Sequence, residues 1–305
     1  MRLFLLGIAI LISITACGPR WYYPHLDWLL PWYVDDYISL DADQRGELDR
    51  RLAHQLEWHC RTQLPIYAAF LREIKTDFET ADTPLTRDHF HRYYTMLGTY
   101  WQSLVHRIGP DVADILMTAD EQQLEAFFVN IEARNRELES TYVDPPAETI
   151  YADRYERMRE RLEEWVGDLS IAQQAAVQAW SQRLGTTGDQ WLADRRNLQL
   201  VFRRILAHRQ DSTRYRQDFM ILLTQPDAHR TEAAIARRDR RTRLTLELLT
   251  DIGNTLTPSQ RAHLLAHLEG LSRDFDALAC RIPPSAPQNA GMGGPIASPQ
   301  GQFYR

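Results

Sequence analysis

The sequence predicts an all-α protein, a multi-helix bundle followed by a disordered tail. Apolar residues recur at spacings of three and four, as on one face of an α-helix, and no stretch of useful length alternates like a half-buried strand. Turn-forming residues, among them "GP" at 109–110, divide the chain into about nine or ten segments of ordinary helix length. The tail, residues 281–305, is rich in Pro, Gly, Ser, Ala and Gln and has little to bury.

The first element is a short apolar run, "LFLLGIAILISI" at 3–14, preceded by Arg2. A bilayer-spanning helix needs about 18 or more such residues, so the run has the length of a signal peptide. The next segment, "ITAC" at 14–17, resembles the lipobox of bacterial lipoproteins, in which small residues precede a cysteine whose thiol takes the lipid. The alternative is an ordinary signal peptide followed by a chance cysteine.

The lipobox resemblance implies a cellular location for the protein. Residues 1–16 would be a signal peptide that is cleaved, and Cys17 would begin the mature chain and carry acyl chains such as palmitate. Because each buried methylene contributes about 0.8 kcal/mol, two or three chains hold a protein durably on a bilayer. Gly18 lacks the aspartate that commonly retains lipoproteins of Gram-negative bacteria at the inner membrane. The resemblance therefore implies the outer membrane, with the body facing the periplasm.

Aromatic residues crowd the start of the mature chain. Trp21 follows the lipidated cysteine by four residues. An extended chain spans at most about 3.6 Å per residue, which keeps Trp21 within about 14 Å of the anchor. We expect Trp28, Trp32 and Tyr37 to pack into the helical body, and Trp21 and Tyr22 to lie at the membrane interface.

Four helix starts share one pattern. An apolar residue precedes Asp, Thr or Ser, and Gln or Glu follows three residues later. At this spacing the first side chain accepts from a backbone N–H of the first turn, and the second reaches back to the cap, forming a capping box. The predicted cap pairs are Asp41 with Gln44, Thr118 with Glu121, Ser170 with Gln173, and Thr257 with Gln260.

The spacing of these caps indicates two related halves within a helical domain at 17–280. The first two caps are 77 residues apart and the last two are 87 apart. A similar succession of Trp, Arg and an aromatic residue follows the first cap at 57–74 and the third at 190–206. Such internal similarity predicts halves at 21–144 and 145–280 that stack as similar units.

Several classes of chemistry lack support in the sequence. The formal charge of -6 and the lack of a basic stripe argue against nucleic acid as a partner. The richest basic stretch, "RRDRRTR" at 237–243, is typical of a solvated helix face. His263 and His267 share a helix face without a third ligand, and no nucleophile motif or framed phosphate loop occurs. We therefore predict no catalytic, cofactor or metal site.

Two further cysteines remain after Cys17. In the oxidising periplasm, Cys60 and Cys280 could form a disulfide that ties the first helices to the last. The alternative is a pair of unbonded buried thiols.

Three segments carry a family resemblance. The chain resembles a family of proteobacterial lipoproteins of unknown function over nearly all of its mature length, without an activity or catalytic residues to transfer. The segments are "LDWLLPWYVDDYISLDADQ" (26–44), "EWHCRTQLPIYAAFLREI" (57–74) and "RLEEWVGDLSIAQQAAVQAW" (161–180).

A second resemblance concerns the caps. "LSIAQ" at Leu169 and "LTPSQ" at Leu256 resemble the L-[ST]-x-x-Q signature of the helical periplasmic chaperones of the Spy and CpxP type. Together these features predict a lipid-anchored, non-catalytic module that binds another protein or an envelope component, or that acts like a chaperone. The alternatives are an envelope hydrolase with carboxylates that the sequence does not pair, and a structural spacer.

Overall fold

In a computed structural model of the chain, residues 18–80 and 84–280 are described. They form helices joined by short turns, without a strand in these two ranges, and the all-α prediction is confirmed. The lipidation predicted at Cys17, the signal peptide at 1–16 and the tail at 281–305 lie outside the described residues.

The helices vary from one turn to the 39 residues of the longest. Within the described ranges, none is both long and apolar enough to cross a bilayer. Short 3₁₀ segments at Tyr23–His25 and Pro226–His229 precede α2 and α10. In chain order the helices are α1 (Pro19–Tyr22), α2 (Leu26–Asp35), α3 (Ala42–Thr80), α4 (Arg87–Met117), α5 (Glu121–Tyr142), α6 (Ala147–Val166), α7 (Ile171–Leu184), α8 (Gly188–Ala207), α9 (Ser212–Thr224), α10 (Glu232–Asn254) and α11 (Pro258–Leu278).

One predicted helix break is wrong. Gly109 and Pro110 lie inside α4, which continues to Met117. An interior proline costs about 3 kcal/mol, but α4 packs against both α3 and α9, and this packing outweighs the cost. A Cβ at Gly109 would lie 2.7 Å from the sulfur of Met220, so glycine permits the close approach of α9.

Two apolar cores hold the helices together. The first core joins α4, α5, α8 and α9 and includes the buried side chains of Leu116, Leu124, Leu206 and Phe219. Tyr215 is fully buried in this core, and its hydroxyl donates to the carbonyl oxygen of Ala113 at 3.0 Å. That bond satisfies the polar end of a large side chain which otherwise contributes apolar area.

The second core joins α3, α6, α7, α10 and α11. Leu64 of α3, Val177 of α7 and Leu268 of α11 are almost completely buried there. Helix α11 contributes Leu264, Leu268 and Phe275 to this core.

Each core draws on both predicted halves. In the first core α4 and α5 meet α8 and α9, whereas in the second core α3 meets α7, α10 and α11. Correspondingly, α3 packs along α11 and α5 packs along α8. The two halves at 21–144 and 145–280 are thus interleaved rather than packed as separate bodies.

Candidate functional site

The cap glutamines meet in two pairs, each formed by side chains from two helix starts. In the first glutamine pair, Gln44 and Gln123, each side-chain amide donates to the oxygen of the other at 3.2 and 2.7 Å. Gln44 Nε2 also donates to the carbonyl of Thr118, and Gln123 Nε2 to that of Ser39. The pair therefore joins the start of α3 to the junction of α4 and α5.

The second glutamine pair, Gln173 and Gln260, repeats this arrangement. The reciprocal amide bonds measure 3.1 and 2.8 Å. Gln173 Nε2 donates to the carbonyl of Thr255, and Gln260 Nε2 to that of Asp168. The same hydrogen-bond pattern thus joins the start of α7 to the junction of α10 and α11.

Three of the four predicted cap pairs have the reciprocal backbone bonds of a capping box. Asp41 and Gln44 exchange bonds of 3.0 and 2.9 Å. Ser170 and Gln173 do the same, as do Thr257 and Gln260.

The predicted cap of Thr118 with Glu121 is wrong. Thr118 ends α4, and its hydroxyl donates to the carbonyl of Ile115. The cap lies two residues later, where Asp120 Oδ1 accepts from the backbone of Gln123 at 2.7 Å. Glu121 instead accepts from Arg209 at 2.5 Å. The signal was present in the sequence, since "ADEQQ" has the same apolar, cap and glutamine spacing from Ala119.

Cys60 and Cys280 are bonded as a disulfide, with their Cα atoms 5.2 Å apart. Of the two readings that the sequence left open, the structure contains the bridge. Next to it, His59 stacks on the ring of Tyr23, with its Nδ1 3.0 Å from the hydroxyl oxygen. Burial lowers the pKa of His59 to about 4. This neutral histidine is part of the packing where α3 meets the end of α11.

The placement of the aromatic N-terminus differs from the prediction at three positions. Tyr22 is buried in the body, whereas Trp28 and Trp32 are exposed. Tyr37 is half-buried, and Trp21 is exposed. The reason is geometric: α1 and α2 place Tyr22 and Pro31 towards the body, so that the tryptophans face outward.

A shallow, open groove lies between α3 and α4, with a volume of about 550 Å³. Cationic and imidazole side chains dominate its lining. The lining residues are Arg50, Arg51, His54, Gln55, His106, Arg107, Pro110 and Asp111. Their spacing puts them on facing turns, with Arg50 to Gln55 from α3 and His106 to Asp111 from α4.

One wall of the groove is neutralised by ion pairs. Arg51 binds Glu47 on its own helix, and reaches Asp111 at 2.8 Å and Asp114 at 3.0 Å on α4. The hydrogen bond to Glu47 is the main cause that raises the pKa of Arg51. Burial would raise the pKa of Asp114, but hydrogen bonds from Arg216 and Arg51 lower it. These charges stay ionised and hold α3 against α4.

Arg107 differs because its contacts are with uncharged groups. Its Nε donates to Gln55 Oε1 at 3.0 Å, and its guanidinium carbon lies 5.6 Å from the ring centroid of Trp58. Its Nη2 lies 2.8 Å from His54 Nε2. Because a guanidinium cannot accept, this imidazole nitrogen is the acceptor and His54 carries its proton on Nδ1. Arg107 is thus an oriented, exposed cation at the groove.

This arrangement can hold an anionic group by charge-assisted hydrogen bonds, for which guanidinium geometry suits carboxylate and phosphate. Sequence reasoning missed the groove, since its lining comes from two helices whose basic residues are about 55 positions apart. The available signal was the recurrence of Arg and His at Arg50, Arg51 and His54, which lie three and four residues apart.

The other candidates from the sequence lie elsewhere. His263 Nε2 is 3.2 Å from the carbonyl oxygen of Glu164, and the ring of His267 packs on Trp165. In residues 18–80 and 84–280, no group of three or more His, Cys, Asp or Glu is placed to hold a metal ion. The basic stretch at 237–243 lies on α10, where Arg237 and Arg238 bind carboxylates of the same chain.

Comparison with known proteins identifies the family of the chain. No curated protein and no solved structure matches the chain. The family model of DUF6279, a family of unknown function, matches residues 36–233, which is more than half of the chain. This match confirms the predicted membership of a family of unknown function. The lipoprotein character and the proteobacterial origin remain predictions. The chain belongs to the DUF6279 family.

Proposed function

We propose that this protein is a lipid-anchored envelope protein of the periplasm that binds an anionic partner without catalysis. Acyl chains on Cys17 anchor it in the outer membrane, and the groove between α3 and α4 binds a phosphate or carboxylate group of an envelope component. The observation that supports the binding role is the groove itself, because Arg107 is an exposed cation whose hydrogen bonds go to the uncharged side chains of Gln55 and His54.

The anchor is tested on the precursor. The change Cys17→Ser removes the thiol that would take the lipid, so acyl labelling should disappear and the precursor should remain uncleaved. Membrane fractionation and mass measurement check both outcomes. A variant that still matures and partitions with membranes would overturn the lipobox interpretation.

The binding site is tested with soluble anions in titration calorimetry, using pyrophosphate and polyglutamate as the probes. The change Arg107→Gln should weaken binding about tenfold, as expected for losing one hydrogen bond to a charged group. The matched control is Arg204→Gln, which removes an exposed arginine from α8, outside the groove. Equal losses in both variants would show that only net charge matters and would reject the site.

A chaperone-like role is the second candidate, and exposed aliphatic side chains favour it. Val129 and Leu200 are more than half exposed on α5 and α8, which pack side by side. Such side chains could hold an unfolded client by apolar contact. The protein should then suppress aggregation of several unrelated clients without ATP. The double change Val129→Ser and Leu200→Ser should remove this protection, and failure with every client would reject the role.

A further inference from the structure

Three tryptophans expose more than half of their surface, and all three lie at the start of the described chain. Trp21 is 58% exposed, Trp28 is 54% and Trp32 is 62%. The other five tryptophans of the protein are buried or half-buried. Large aromatic residues exposed together mark an interaction surface rather than ordinary surface composition.

These tryptophans form a stripe along one side of the N-terminal segment. Trp28 and Trp32 are four residues apart on α2, which is the spacing of positions that share a helix face, and Trp21 precedes them on α1, before the 3₁₀ segment. The ring of His25 bridges the first two, with centroids 5.8 Å from Trp21 and 6.2 Å from Trp28. We name Trp21, Trp28 and Trp32 the tryptophan stripe.

The opposite side of this segment is attached to the helical body. Tyr22 and Pro31 are buried, and Arg20 forms an ion pair of 2.7 Å with Asp274 of α11. Helix α1 packs on α11, and α2 packs on α3. The stripe is therefore a fixed feature of the folded body, so that its orientation determines the orientation of the whole domain.

We propose that the tryptophan stripe lies in the headgroup region of the lipid bilayer and orients the helical body on the membrane. The proposal rests on the anchor at Cys17 that is part of the proposed function, because Trp21 then lies within about 14 Å of the acyl chains. Indole rings prefer the membrane interface, where the ring is partly buried and the N–H stays hydrated.

The geometry of the segment fits a membrane surface. At a helical rise of 1.5 Å per residue, Trp28 and Trp32 lie about 6 Å apart along α2, and the ring of His25 links them to Trp21. Its acidic neighbours Asp27 and Asp36 are exposed. Because these carboxylates are repelled by anionic lipid, the stripe should favour zwitterionic headgroups.

The test uses the full mature chain with vesicles of brominated phosphatidylcholine in excess, since bromine quenches only tryptophans that enter the bilayer. About a third of the tryptophan fluorescence should be lost, because three of eight tryptophans reach the lipid. The triple change to tyrosine at Trp21, Trp28 and Trp32 should abolish most of the quenching. The matched control, Trp180→Phe with Trp191→Phe, should retain it.

The outcomes distinguish the proposal for the tryptophan stripe from the proposal for the lipid anchor, because acyl labelling of Cys17 is measured on the same preparation. If the chain is acylated but its tryptophans are not quenched, the stripe proposal is overturned and the anchor proposal still holds. Quenching of a chain that proves unacylated still supports the stripe. A chain whose tryptophans stay unquenched and which sediments as a dimer would show that a second copy covers them, and would overturn the proposal.

Discussion

The two glutamine pairs have the same hydrogen bonds but lie at different depths. In the second pair, Gln173 and Gln260 are both buried, at 2% and 6% exposed. In the first pair Gln44 is buried, whereas Gln123 is half-buried and its bond to Ser39 lies at the surface. A buried amide that loses its partner cannot replace it with water, so the same polar contact matters more in the second pair.

The surroundings of the two pairs differ in the same direction. The second pair lies beside the core that contains the disulfide cysteine Cys60, whereas Asp111 of the groove lies two residues before Ala113 of the first core. This difference indicates a division of roles. The second core contains the covalent crosslink of the fold, and the first core adjoins the surface on which we place binding.

The largest expected effect comes from the disulfide, which only the second core contains among the described residues. The double change Cys60→Ala and Cys280→Ala opens a loop with a sequence separation of 220. In the chain-entropy model this lowers the free energy of unfolding by about 5 kcal/mol. Denaturant unfolding with and without reductant checks it. Free, alkylatable thiols in the unreduced protein would contradict the bridge.

The next effect is a pH dependence caused by His59. Burial lowers its pKa to about 4 from 6.5, so the unfolded chain binds the proton more readily than the folded chain. The stabilisation is therefore complete above pH 6.5 and is lost as the pH falls towards 4. The lost free energy of unfolding is about 3 kcal/mol.

Unfolding measured between pH 7 and pH 4 checks this expectation. The change His59→Phe should reduce the slope, while the exposed His91→Gln serves as the control and should leave it unchanged. An identical slope in wild type and His59→Phe would contradict the assignment.

A smaller loss of stability is expected when one glutamine is removed from each pair. Gln260→Ala leaves the carbonyl of Asp168 and the backbone N–H of Thr257 without their partner, at a buried site. We expect a loss of about 2 kcal/mol, against about 1 kcal/mol for Gln123→Ala, whose partners can reach water. Paired urea titrations measure both values. Equal losses would mean that depth does not distinguish the pairs.

The smallest effect tests the corrected cap. Asp120→Ala should destabilise by about 1 kcal/mol, and Thr118→Ala by less than half of that, because Asp120 accepts the backbone bond. At the second pair, Thr257→Ala and Thr255→Ala should show the same ratio, since Thr255 occupies the position of Thr118. The reverse order at Asp120 and Thr118 would restore the original cap assignment, and the reverse order at Thr257 and Thr255 would contradict the cap at Thr257.

Local features could be predicted from the sequence because their causes lie within one or two helical turns. Apolar spacing identified the helices, and cap spacing identified Asp41, Ser170 and Thr257. Where two overlapping choices existed, as at Thr118 and Asp120, local pattern alone did not decide. The choice depended on how far α4 extends, and packing against α3 and α9 carries α4 to Met117.

The sequence by itself determined the helical class, three of the caps and the two cysteines that could pair. Only the tertiary structure decided which glutamines meet, since the partners are 79 and 87 residues apart. It also interleaved the halves, assembled the groove and turned Trp28 and Trp32 outward while burying Tyr22. The physical reason is that a helix cap depends only on residues within a few positions of each other. Helix packing depends on all the apolar faces of the chain together, and the apolar pattern of one helix does not show which other helix it packs against.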